Sequence, residues 1–227
     1  MIRHFDAELG ELKKKILTMG GYVEKAIEES TQALLQREPF RFQTVSHYEE
    51  LINRAHLEVD EACLQLLARQ SPLAADLRLV IAVIKINTDL ERMGDQAVNI
   101  SENGQRYLSA PALKPLIDLP KMAQEVRSMV RDSLDAFVRQ DVALARDVIR
   151  RDDVVDSFKN QIFHDVQEIM SKAAGPTIEQ GLNLILIARN LERLGDHSTN
   201  IAEDVIFAMT GEDVRHKGSL EKASGAY

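Results

Sequence analysis

The 227-residue chain carries 28 Lys and Arg against 36 Asp and Glu, a formal charge of −8, with 44% hydrophobic residues and a single cysteine. This balance argues against the basic face that a nucleic-acid backbone requires. A lone Cys63 rules out an internal disulfide and fits a reducing compartment, where it is expected to be a small buried apolar residue.

The first residues, Met1 to Asp6, lead into an amphipathic stretch without the apolar run of a signal peptide. The most apolar run, Leu79 to Ile84, ends at Lys85, far short of the ~20 residues that span a bilayer. A cytoplasmic location is expected. In the first segment Leu9, Leu12, Ile16, Met19, Val23, Ile27 and Leu34 draw one helical stripe, and beyond Pro39 a second follows through Val45, Ile52, Val59, Cys63 and Leu66. Pro72 ends that helix, and a third carries Ile86, Leu90, Met93, Ala97 and Ile100 on one side. Pro111, Pro115 and Pro120 then cluster near the midpoint, and Pro176 marks the last junction. No segment alternates for long enough to make a strand, and helix formers dominate. The fold class predicted is therefore all-α, with six long helices in two tandem three-helix bundles. The expected domains are a first bundle over 1–110, a proline-rich junction over 111–119, a second bundle over 120–212 and a frayed polar tail over 213–227.

The halves are copies. Asp89 to Glu102 aligns with Asn190 to Glu203 at an offset of 101, with eight of fourteen positions identical, including Glu-Arg-x-Gly-Asp. Upstream the offset is 103: Met19, Val23, Ile27, Ser30 and Leu34 match Met122, Val126, Val130, Ser133 and Phe137, and Glu49 to Asn53 matches Asp152 to Asp156.

On a helix, Glu91, Asp95, Asn99 and Glu102 fall within about 80° of one another, as do Glu192, Asp196, Asn200 and Glu203. A solvated face opposite the core is the ordinary explanation. Three features weigh against it. Like charges at i and i+4 repel, yet both copies keep them. Gly94 and Gly195 stand in mid-helix at a cost of about 1 kcal/mol each, which predicts close approach of another backbone. The second helix of each unit adds a similar pair, Asp152 with Asp156 and the weaker Glu49 with Asn53. If these stripes face each other, their charge calls for a cation, and oxygen ligands suit Mg²⁺, Ca²⁺, Mn²⁺ or iron.

No Glu-x-x-His occurs, which tells against a ferritin-like di-iron enzyme. Because His197 has Gln96 as its counterpart, it is expected to be an ordinary polar surface residue, and Arg92 and Arg193 to be paired with nearby acids. A phosphate-binding glycine loop and a nucleophile elbow are both missing, so an enzyme is not expected.

The residues that carry these signals resemble the PhoU family, accessory and regulatory proteins of bacterial phosphate uptake. The likeness runs from about residue 4 to about residue 218, on Val59 to Cys63, Gln70 to Arg78, the two Leu-Glu-Arg-x-Gly-Asp segments and Gly211 to His216. It implies two three-helix bundles, a multinuclear metal site on the acidic motif of each, and no catalysis. The ligands so implied are Asp152, Asp156, Glu192 and Asp196 in the second bundle, and Glu49, Asn53, Glu91 and Asp95 in the first. It also implies repression of phosphate uptake and of the phosphate-starvation response through the phosphate ABC transporter, its ATPase included, and a sensor histidine kinase, with the membrane reached only through those partners. Apart from the resemblance, an exposed apolar stripe on a long helix would allow a homodimer. The competing functions are a metal-free helical scaffold and a carboxylate-bridged di-metal protein with redox activity.

Overall fold

The computed structural model describes residues 4–72, 74–111, 113, 118–172 and 175–215, and among these six α-helices follow one another with no strand. They are α1 (His4–Gln36), α2 (Phe42–Gln70), α3 (Ala75–Leu108), α4 (Asp118–Arg139), α5 (Val142–Ser171) and α6 (Pro176–Thr210), with a 3-10 turn at Pro39–Arg41. The all-α expectation holds. Pro115, His216 and the tail beyond it lie outside the described residues.

Breakers and caps set the helix ends. Pro39 and Pro176 open their helices at positions where a missing N–H costs nothing. Pro120 sits in the first turn of α4, which starts at Asp118, slightly ahead of the boundary expected at 120. The Asp141 carboxylate accepts from the Ala143 and Leu144 N–H groups (2.9 and 3.0 Å) and so starts α5. Gly211, at φ +77°, ends α6 with its N–H donating to the Phe207 carbonyl. Arg37 and Gln140, equivalent positions after α1 and α4, take left-handed φ values of 56° and 57°. Such a conformation costs a non-glycine residue roughly 1–2 kcal/mol, so the duplication preserves even the strained exits.

The stripes read from the sequence are the core. Leu12, Ile16, Met19, Val23, Ile27 and Leu34 of α1 are buried against Val45, Ile52, Val59, Cys63 and Leu66 of α2 and Ile86, Leu90, Met93, Ala97 and Ile100 of α3. Met122, Val126, Val130 and Phe137 fill the same places in α4. Each large aliphatic side chain so buried contributes about 1.5–3 kcal/mol, which is what holds rods of this length together. Burial also pushes the Cys63 thiol up to about 12, so it stays protonated and inert.

The two bundles share one continuous core. α3 and α6 lie antiparallel at the centre: Lys85 meets Asp204, Asp89 meets His197, and the Gln180 amide donates to the Tyr107 carbonyl. α1 and α4 also run antiparallel, with Arg127 paired to Glu28 at 3.2 Å and Gly20 beneath Leu134. α2 and α5 pack outside, each against its own bundle. The start of the junction is tied from both bundles, since Arg37 donates to the Ala110 carbonyl and Gln180 to that of Pro111. No helix among the described residues is long and apolar enough to cross a membrane.

Candidate metal centre on the acidic faces

Mid-helix glycines set the register of the acidic side chains. In the first bundle a Cβ on Gly94 would stand 3.1 Å from Ile52 Cδ1, and in the second one on Gly195 would stand 3.4 Å from Val155 Cγ1 and 3.5 Å from Asp152 Oδ1. Ile52 and Val155 are equivalent positions, so both copies key an outer helix into a glycine notch. The expected approach of another backbone is corrected: a side chain fills each notch. This register puts Asp152 and Asp156 of α5 beside Glu192 and Asp196 of α6, and in the first bundle Glu49 and Asn53 of α2 and Glu91 and Asp95 of α3 hold the equivalent positions around the Ile52–Gly94 contact.

The second set interacts across the helices. The Lys159 ammonium donates to Asp156 Oδ1 at 2.7 Å and to Glu192 Oε1 at 2.9 Å, and these bonds raise its own pKa to about 12. Asp152 is pushed up to about 6, first by burial and then by the charges of Asp196, Asp156, Asp153 and Glu192. Asp196 is raised by desolvation, then by Glu192 and Asp156, although its side chain reaches solvent at the rim. Both carboxyls are thus raised by burial first and by neighbouring negative charge second, an environment that a further positive charge would relieve.

The first set is looser. The Asn53 amide donates to Glu49 Oε1 at 2.7 Å, within its own helix, and Glu91 lies 3.7 Å from its neighbour Arg92. His56, equivalent to Lys159, turns to the Asn87 carbonyl (3.4 Å) and to Asp60 (3.5 Å) instead. Among the described residues, no three His, Cys, Asp or Glu side chains stand close enough together to hold an ion. The second set fits a hard cation in donor chemistry and in its charge deficit, and side-chain rotation would be needed to gather its oxygens.

Sequence reasoning misplaced His197. It is mostly buried in the α3–α6 seam, where its Nδ1–H donates to Asp89 Oδ1 at 2.8 Å, joined by the Asn200 amide at 3.1 Å. A helix-by-helix reading could not pair residues 108 positions apart. The Lys85–Asp204 pair, also in the seam, was missed for the same reason.

Comparison with known proteins follows this geometry. The PhoU domain family model matches residues 16–104 and again 119–205, one match per bundle. A Phosphate-specific transport system accessory protein PhoU homolog of Pseudomonas putida is 38% identical over 218 residues, 95% of this chain and 84% of its own length. The Phosphate-specific transport system accessory protein PhoU of Escherichia coli K12 is 32% identical over 217 residues, 96% of this chain and 90% of its own. The crystal structure of PhoU from Pseudomonas aeruginosa superposes with a TM-score of 0.88 at 34% identity, covering 92% of this chain and 100% of that one. That of the phosphate transport system regulatory protein PhoU from Streptococcus pneumoniae gives 0.85 at 27% identity, with 93% and 99% covered.

Proposed function

The chain belongs to the PhoU family, and from that premise we propose that it is a non-catalytic, cation-binding adaptor that restrains phosphate uptake and the phosphate-starvation response when phosphate is plentiful. Its relatives are named as accessory proteins of a phosphate-specific transport system, and that association carries over to this chain. The partners proposed are the ATPase of the phosphate ABC transporter and a phosphate-sensing histidine kinase. The protein would work in the cytoplasm and reach the inner membrane through them, because an acidic chain has no affinity of its own for anionic lipid. Exposed apolar side chains on α5 and α6, Phe163, Ile178, Leu182 and Leu186, offer a surface for these proteins or for a second copy.

The observation that carries the cation reading is the gathering of Asp152 and Asp156 of α5 with Glu192 and Asp196 of α6 on one face, bridged by Lys159, where burial first and the neighbouring carboxylates second raise Asp152 and Asp196. A bound hard ion would supply Coulombic stabilisation to that set and join α5 to α6. Metal analysis of protein purified without a histidine tag is expected to find manganese, iron, magnesium or calcium, and Glu192→Ala with Asp196→Ala to remove most of it. Clearly substoichiometric metal, unchanged by those substitutions, would leave a metal-free scaffold. Oxygen uptake after loading with Fe²⁺ would instead indicate redox chemistry. The regulatory half is checked separately: deletion is expected to derepress an alkaline phosphatase reporter at high phosphate, and a silent reporter would sink it.

A further inference from the structure

Lys159 holds an unusual position for a surface lysine. From α5 it reaches inward past Asp156 and joins carboxylates on two helices with one ammonium. Its side chain is 28% exposed, between Asp156 at 50% and Glu192 at 22%, so its stem is largely covered where it crosses between the helices. Exposed ion pairs usually contribute little and are freely exchanged. This one bridges the helices with two short charge-assisted bonds, the interaction a metal ion would make with the same two side chains.

Comparing the copies supplies a second observation. The second set has one more carboxylate than the first, Asp156 in place of Asn53, and one more cation, Lys159 in place of His56. Lys159 therefore cancels the single charge by which the two sets differ. The side chain also has somewhere to go. It lines a groove of about 320 Å³ with Phe163, Ile185, Ala188, Arg189 and Glu192, which could take its aliphatic stem without any change in the core.

Building on the cation reading above, we propose that Lys159 is a tethered internal counter-ion that competes with metal for Asp156 and Glu192 and so sets the affinity threshold of the second-bundle site. Loading then requires the ammonium to swing out into the groove. An ion of single charge offers these carboxylates no more than the ammonium already does, so the device favours ions of higher charge. The first bundle has its His56 ring turned away and a weaker donor at Asn53, so its affinity is limited by ligands and not by competition.

The test is Mn²⁺ titration of the full chain by calorimetry, in a Glu91→Ala, Asp95→Ala background that isolates the second bundle, with melting followed in parallel. Lys159→Met is expected to bind Mn²⁺ about tenfold more tightly than the Lys159 protein while its metal-free form melts lower. Lys159→Arg, which keeps the charge, is expected to bind as the Lys159 protein does. Lys159→Gln serves if the Met variant folds poorly. Unchanged or weaker Mn²⁺ binding on loss of the charge, or an equal gain by the Arg variant, overturns the role of Lys159 and leaves the cation reading standing. No binding by any of these proteins overturns both.

Discussion

The two bundles are built on one plan and filled differently. In the first, Phe42 lies over Gly104, so close that a Cβ on the glycine would stand 2.6 Å from the ring. Their equivalents in the second bundle are Ala145 and Val205, both buried. At the other end Met170 and Gly181 of the second bundle stand for Leu67 and Val80 of the first, so that the glycine makes room for the longer methionine. A duplicated backbone fixes the space between helices, and large and small side chains trade places across it. The acidic faces obey the same logic with charge in place of volume. Interior packing density leaves room for compensated swaps and for few others.

The strongest way to break this comparison is to import one half of a swap. Gly104→Val is expected to cost about 3 kcal/mol or more, because the ring of Phe42 is buried and has no free space to enter. Adding Phe42→Ala recreates the pair of the second bundle and should recover most of that loss, to within about 1 kcal/mol of the parent. Urea unfolding of the two single variants and the double variant measures the coupling. Additive effects would mean that the two sites do not share a space.

A smaller effect is expected at the seam, whose two ends also differ. At one end Lys85 pairs with the buried Asp204 at 3.0 Å and lies 5.4 Å from the centre of the Phe207 ring. At the equivalent end Leu186 and Asn103 take these places. Lys85→Met leaves Asp204 without its partner and should cost about 2–3 kcal/mol at pH 7.5. The cost should shrink as pH falls, because Asp204 is already raised by burial and loses with Lys85 the charge that opposes its protonation. Lys85→Leu with Asp204→Asn copies the neutral end and should melt near the parent temperature. A double variant as unstable as Lys85→Met would show that the pair contributes more than relief of a buried charge.

What was legible in the sequence was what lies within one helix or repeats between copies. The stripe from Leu12 to Leu34 is buried as expected, because helical periodicity alone decides which face is apolar. The offset of 101 brought out the acidic motif. Contacts between copies were hidden. His197 looked like surface because its counterpart is Gln96, yet Gln96 is itself buried in the same seam. Gly94 and Gly195 were recognised as close approaches, but nothing local says whether a backbone or the side chain of Ile52 arrives. Lys159 went unnoticed because its role depends on α5 and α6 together.

The smallest expected effect separates Glu203 from its counterpart Glu102. Glu102 is exposed, whereas Glu203 is mostly covered near Asp213 and Arg215, which pair at 2.7 Å beyond the end of α6. Burial raises Glu203 to about 7; Arg215 opposes the shift, and Asp204, Asp213 and Asp89 add to it. A carboxyl raised in the folded state favours folding while it is protonated. Its contribution is complete below the unfolded value near 4.5 and is lost as pH climbs through about 7. Glu203→Gln fixes the neutral form, so it should stabilise the protein by roughly 1–2 kcal/mol at pH 8, about 2–8 °C in Tm, and much less at pH 5. Glu102→Gln should leave the profile unchanged. Melting curves from pH 5 to 8 decide it: parallel profiles for both variants would mean that the cover over Glu203 is open enough in solution to hydrate its charge.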